Sequence, residues 1–430
     1  MMQLARYTKE PLYRNSLFLM VNHGLITGFG FFFWMVVARF YTEAEVGLGA
    51  AIISAISLLA LLSKLGFDVA LIRFLPTAAR PSNLINSCLT LAMLAALVIA
   101  GIFVAGLHLW SPALVFIQKN ALFTTAFIFF TVFWTLFGVS SAIFVARRRA
   151  SFALSKNGIY SLLKIPLPIV LGLFFHAFGI VASWGVATGA ALAVSVFVLL
   201  PRTQHGYRPL PKIDFSLVRD IRRYAAGNYF ANLLYAAPGL VLPLVIVNLL
   251  GPKENAYFYV AWTIGGLLFA IPAAVSASLF AEGSHFEAPL GMNVVRSYKF
   301  IFLILIPSIA VIMLAAKWLL LAFGPGYSAN ALTLLWVLAL SSVFHGISSA
   351  YYSVLRVQGK ARELTGIYAF MSIAVLVGSY FILPVTGIVG VGYVWIGAQA
   401  LVSLYVVLRM RSRAATAVSG RGVDDQEWGL

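Results

Sequence analysis

The chain has 430 residues, 61% of them hydrophobic and only 10% charged, with a mean hydropathy of +0.95; its main solvent is lipid, which excludes an ordinary soluble fold. A net charge of +17, from 30 Lys plus Arg against 13 Asp plus Glu, would suit a nucleic-acid partner, but the distribution of the bases along the chain argues against one. Cys88 is the only cysteine, so neither an intramolecular disulfide nor a Cys-based metal cluster can form, and no cofactor is expected.

An apolar stretch of ~20 residues crosses a bilayer core as a helix, and twelve such stretches follow one another. The first six run over about 15–40, 46–66, 84–108, 121–146, 155–176 and 179–200. Arg6, Lys9 and Arg14 precede the first, which is too long for a signal-peptide core and lacks a small-residue cleavage site, so it is expected to be retained. The second reads as continuous with LGFDVALIRF, residues 65–74. A polar linker, roughly 202–220, separates these from six more at about 225–250, 256–280, 299–321, 331–355, 363–384 and 387–409. The polar tail, residues 411–430, is expected to be disordered. Pro166, Pro168, Pro238, Pro243, Pro272 and Pro307 interrupt spans. Each removes a backbone donor, and two readings stand: tolerated kinks in packed helices, or hinges at Pro238 or Pro272.

The second half repeats the first at an offset of 208 residues. Gly138, Ser140, Ser141 and Ala142 return as Gly346, Ser348, Ser349 and Ala350; Gly158, Ile159 and Tyr160 return as Gly366, Ile367 and Tyr368. Gly179, Ile180 and Val181 return as Gly387, Ile388 and Val389. A repeat this long duplicates a bundle, and six spans per copy, an even number, make the copies parallel. The expected fold is therefore an all-α polytopic membrane protein of about twelve transmembrane helices in two pseudo-symmetric six-helix lobes, residues 1–208 and 209–410, followed by the tail at 411–430.

Assigning alternate loops to alternate sides puts 26 bases at one face and only Arg39, Lys119, Lys253 and Lys317 at or near the other. By the positive-inside rule both termini are cytosolic. An alkaline phosphatase reporter fused after Arg413 is expected to be inactive and one fused near Lys253 active; the reverse pair would overturn the orientation.

Residues 34–76, WMVVARFYTEAEVGLGAAIISAISLLALLSKLGFDVALIRFLP, together with FGPGYSANALTLLWVLAL (323–340) and LPVTGIVGVGYVWIGAQALVSLYVVL (383–408), resemble the polysaccharide transporter family of O-antigen and exopolysaccharide flippases. That family lies within the multidrug/oligosaccharidyl-lipid/polysaccharide (MOP) superfamily. The resemblance covers nearly the whole chain through diffuse apolar patterning and a few small residues, so it specifies fold better than substrate. It implies two lobes in a V, a cavity lined by spans 1, 2, 7 and 8, and a polyprenyl-pyrophosphate-linked oligosaccharide as substrate. The related lipid II flippases usually have fourteen spans, and AYFYVAWTIG (256–265) lacks the arginine expected in their eighth.

An ionisable group at a helix centre costs ~2.5–3.5 kcal/mol on insertion scales and marks a functional candidate. Acids sit at span ends or in loops, at Glu43, Glu45, Asp68, Glu254, Glu282, Glu287 and Glu363, whereas bases enter the spans at His23, Lys164, Lys317 and His345. A cavity built from these helices attracts phosphate and repels organic cations. A cation antiporter of the same superfamily is expected to hold a deep carboxylate, and none is found.

Arg73, at headgroup depth, can fork onto a pyrophosphate, with Arg14 and Lys164 as companions; the alternative is snorkelling to ordinary headgroups. Asp68 is read as neutralising a local base. Asn22 and Asn232 hold matching places in spans 1 and 7 at an offset of 210, for inter-helix hydrogen bonding or sugar contact. His23 and His345 either couple transport to protons or are neutral and satisfied by a neighbouring carbonyl. Arg39 with Glu43, and Lys317 with Trp318, read as an ion pair and an interfacial anchor.

A membrane glycan polymerase or ligase needs positioned acid and base groups. Short outer loops without paired carboxylates beyond Glu43 and Glu45 do not provide them. The expected function is a non-enzymatic, alternating-access flippase of a bacterial plasma membrane, with the lipid-linked oligosaccharide and membrane lipids as partners and a glycan polymerase and chain-length regulator as further candidates. A multidrug or cation antiporter is the alternative, followed by a lipid II flippase or a membrane glycan enzyme.

Overall fold

The computed structural model describes residues 11–283 and 290–418. The described residues are helical, without strands. The principal helices are α1 (Pro11–Phe40), α2 (Glu43–Ser63), α3 (Phe67–Phe74), α4 (Pro81–Ala105), α5 (Ala121–Ala146), α6 (Ala150–Leu163), α7 (Leu167–Phe175), α8 (Ala177–Val194), α9 (Phe215–Leu249), α10 (Pro252–Gly283), α11 (Leu290–Leu321), α12 (Leu332–Val357) and α13 (Ala361–Val418).

Nine helices among the described residues are long and apolar enough to cross a membrane. The last, α13, bends at Gly387, where φ is 64° and ψ −156°, so it contains two of the expected spans. The first expected span lies in α1, and the fifth is divided between α6 and α7. The chain is thus a multi-pass helical membrane protein whose helices are consistent with twelve spans.

Three sequence readings need correction. The second span does not run continuously into LGFDVALIRF: Leu65 and Gly66 have φ of 50° and 76°, and the helix breaks before α3. Gly66 also passes so close to α9 that a Cβ there would lie 2.3 Å from the Ala225 carbonyl oxygen. Only glycine tolerates both that conformation and that approach. In the fifth span, the interruption expected at Pro166 and Pro168 takes the form of a break at Lys164–Pro166 between α6 and α7, each proline removing an amide donor. The linker is shorter than the polar composition indicates, since α9 already begins at Phe215. Asp214 caps it, accepting from the Ser216 amide at 3.2 Å, and the Ser216 hydroxyl holds the carboxyl below the usual carboxylate range. The tail is helical through Val418; residues 419–430 lie outside the described residues.

Helix packing divides the chain into two compact units, residues 1–256 and 257–430. In the first, α5 is central and packs against α2, α3, α4 and α8, while α1 lies on α6 and α7. Phe67, Leu71, Ile85, Cys88, Ile143, Phe144 and Leu200 form a buried cluster. The linker folds back onto α4: the Asn86 amide donates to the Arg208 carbonyl at 2.9 Å, and Ser87 accepts from the Asp214 amide at 2.8 Å.

The start of α2 is set by a reciprocal cap in which the Thr42 hydroxyl accepts from the Glu45 amide and the Glu45 carboxylate from the Thr42 amide. One turn into α2, Gly47 accepts from Asn255 at 2.7 Å, and a Cβ at Gly47 would overlap the Pro252 carbonyl oxygen at 1.7 Å. Glu43 meets Lys253 at 3.1 Å, a partner that helical spacing from Arg39 does not suggest.

In the second unit, α12 packs against both α11 and α13. Leu268, Ile301, Leu305, Ala339, Ala350 and Val354 make its buried cluster. Gly392 allows close packing of α13 on Leu334 and Val337 of α12.

Candidate functional site

One cluster of buried polar groups in the first unit lies on α6. Asn157, Ser161 and Lys164 recur at helical spacing, so they share one stripe. They are 3%, 0% and 4% exposed. The Asn157 amide donates to the Asn22 side-chain carbonyl of α1 at 2.8 Å, tying the first and fifth spans together. The Asn157 carbonyl oxygen and the Ser161 hydroxyl are buried and have no hydrogen-bond partner among the described residues.

Lys164 sits at the break between α6 and α7, its ammonium 4.6 Å from the Tyr160 ring centroid and 5.6 Å from that of Phe33. Aromatic faces attract the cation, yet no carboxylate lies within ion-pair distance of Lys164 among the described residues. The stripe therefore holds a buried positive charge, an unmet amide acceptor and an unmet hydroxyl, an arrangement complementary to a ligand that carries both an anionic group and hydroxyl donors.

Lys156 is a buried base that the sequence reading passed over. It is 0% exposed and turns toward α5, where its ammonium donates to the Phe137 carbonyl at 2.5 Å, to the Ser140 hydroxyl at 3.3 Å and to the Ser141 hydroxyl. The Phe137 ring lies 3.6 Å away. Three acceptors match the three ammonium protons, so Lys156 is a crosslink between the fourth and fifth spans. Its acceptors Ser140 and Ser141 belong to the repeated motif. In the second copy Ser348 pairs with Ser403 at 3.2 Å and Ser349 with Ser276 at 2.8 Å, so both copies use these serines to join helices.

Lys64 lies across Gly138, where a Cβ would come within 2.5 Å of its Cε, and is 3.8 Å from Asp68, the local base expected for that carboxylate. Arg73 is exposed on α3, its guanidinium 5.4 Å from the Tyr224 ring centroid. No contact among the described residues joins it to Lys164. Asn232 is exposed on α9. The side chains of Arg14 and His23 lie outside the described residues, as do Arg6, Lys9 and Glu287.

His345 belongs to the second unit and is 7% exposed. Its Nδ1 is 3.5 Å from the Gln399 amide nitrogen, and its ring centroid is 5.4 Å from that of Phe269. Lys317 and Trp318 are exposed at the end of α11. The 157, 161, 164 spacing was available in the sequence; it was missed because Asn and Ser carry no charge and Lys156 falls at the edge of its span.

The family model for polysaccharide biosynthesis proteins matches residues 12–268. A candidate O-antigen transporter of Shigella flexneri is 25% identical over 154 residues, 35% of this chain and 37% of that protein, so the match spans little more than a third of the relative. Among solved structures, the lipid II flippase MurJ in an inward closed conformation is similar at a TM-score of 0.73 and 12% identity, over 92% of this chain and 87% of that one. An inward-facing multidrug resistance MATE family transporter of the MOP superfamily gives 0.69 and 18%, over 92% and 96%. A MOP superfamily transporter from Pyrococcus furiosus gives 0.61 and 16%, over 94% and 95%. These structural likenesses establish the fold, and the family match, covering more than half of the chain, establishes its membership: the protein belongs to the polysaccharide biosynthesis protein family, with the helical fold of MOP superfamily transporters.

Proposed function

We propose that the protein is a flippase that carries a polyprenyl-pyrophosphate-linked oligosaccharide from the cytosolic to the outer leaflet of a bacterial plasma membrane, for surface polysaccharide synthesis. The observation that carries this reading is Lys164, a buried ammonium held by aromatic faces and lacking a carboxylate partner among the described residues. Burying an unpaired charge costs several kcal/mol, and an anionic cargo offsets that cost each time it occupies the site. Asn22, Asn157 and Ser161 supply hydrogen bonds beside it. Arg73, with Arg14 and Asn232, would meet the headgroup or sugar as the substrate enters.

Transport proceeds by alternating access between the lobes 1–208 and 209–410, with the polyprenyl tail remaining in lipid and both termini cytosolic. His23 and His345 are the candidates for coupling to protons. A glycan polymerase and a chain-length regulator would act on the delivered product.

A cation antiporter is the second reading, favoured by the fold shared with the MATE transporter. It needs a carboxylate deep in a span, whereas the described interior presents Lys156 and Lys164. Deleting the gene separates the two. A flippase mutant accumulates lipid-linked oligosaccharide on the cytosolic leaflet, loses the surface polymer and keeps normal drug sensitivity; normal polymer with heightened dye sensitivity would support the antiporter.

A further inference from the structure

Three helices of the second unit, α10, α12 and α13, converge on an aromatic cluster. Trp262 and Phe269 are seven residues apart on α10, and both face Trp395 of α13, with ring centroids 4.8 and 5.9 Å away. His345 of α12 adjoins Phe269, and Gln399, one turn beyond Trp395, adjoins His345. Gln399 is 3% exposed.

Two atoms of this cluster are buried without a hydrogen-bond partner among the described residues: the Trp395 indole nitrogen, a donor, and the Gln399 side-chain oxygen, an acceptor. They lie on the same face of one helix, four residues apart. Their chemistry selects the ligand. An anion would need a second donor and a cation a second acceptor, whereas a hydroxyl group both accepts and donates, so hydroxyls meet both needs. The indole and phenyl rings, half-buried and in contact with one another, set apolar surface beside these polar tips, the combination that suits a pyranose ring with its C–H face and its rim of hydroxyls.

We infer that Trp262, Phe269 and Trp395, with Gln399 and His345, form a neutral subsite for a pyranose ring of the transported glycan, distinct from the Lys164 stripe. The inference rests on the reading of a glycan as cargo. It assigns His345 a hydrogen-bonding role toward sugar and leaves His23 as the candidate for proton coupling. The subsite discriminates by sugar geometry, because it contains no fixed charge to recognise the diphosphate.

The test measures binding by the purified full-length protein of the repeat-unit oligosaccharide released from the host's surface polymer by mild acid, free of lipid and diphosphate. Trp395→Phe retains an aromatic ring but removes the N–H, and Gln399→Met retains length but removes the amide; size-exclusion profiles verify that each variant is folded, and either alone suffices. Each is expected to weaken binding roughly ten-fold or more, consistent with loss of a buried hydrogen bond. Trp318→Phe, at an exposed tryptophan, should bind as wild type does. Wild-type affinity in the folded Phe and Met variants, or no binding by the wild type, would overturn the subsite. Transport of the complete lipid-linked glycan is scored separately. Sugar binding through Trp395 without transport supports the subsite and removes the flippase reading; transport without sugar binding removes the subsite alone.

Discussion

Lys164→Gln is expected to reduce transport of the lipid-linked glycan roughly ten- to a hundred-fold while leaving the amount of folded protein unchanged. A hydrogen bond to a charged group contributes ~1.5–3 kcal/mol and a neutral one ~0.5–1.5, and glutamine retains only the neutral kind. The buried ammonium has no carboxylate partner among the described residues, so removing its charge relieves a desolvation cost and should leave thermal stability equal or raised. A residue kept for folding would show the opposite pattern, with lower stability and proportionate loss of protein. Arg73→Gln is the companion test, and Arg73→Lys separates point charge from the bidentate fork. Asn22→Ala should do less, because it removes a neutral bond to Asn157 that joins two helices. Wild-type export by both Gln variants, in a leaflet-specific assay on proteoliposomes, would remove these bases from the transport path.

Gly47→Ala and Gly66→Ala are expected to be the most damaging single-methyl changes to the fold. At Gly47 the added carbon would sit 1.7 Å from the Pro252 carbonyl oxygen, which is backbone and cannot rotate away. The start of α10 would be pushed from α2, straining the Asn255 bond and the Glu43–Lys253 pair. Overpacking of this kind costs about 1–3 kcal/mol or more. At Gly66 a clash of 2.3 Å with Ala225 adds to a left-handed backbone, itself worth roughly 1–2 kcal/mol against a residue with a Cβ. Both variants should show a lower melting temperature and an aggregated elution profile in detergent. Gly101→Ala, where nothing lies within 4 Å, is the control and should behave as wild type. A Gly47 variant as stable as that control would show that the close approach is not maintained in the membrane.

The membrane class and most span positions were legible because burial in lipid requires long apolar runs, and such runs are visible residue by residue. Pro166 and Pro168 marked the break in the fifth span, but the break at Leu65–Gly66 was not legible. Hydropathy is blind to backbone angle, and Leu65 and Gly66 are as apolar as the helix they terminate. The repeat identified Ser140, Ser141, Ser348 and Ser349 as related positions, but their partners, Lys156 in one copy and Ser276 and Ser403 in the other, belong to different helices and appear only on packing.

By itself the sequence determined a lipid-dissolved helical chain, its duplication and the excess of bases over acids in its spans, since each is a property of composition or spacing along one helix. Tertiary structure alone decided which polar groups are matched. Lys156 and Lys164 are both buried bases eight residues apart, yet among the described residues one meets three oxygens of α5 and the other meets aromatic rings. That difference depends on which neighbouring helix each face of α6 meets, a fact of packing across helices that no local pattern contains.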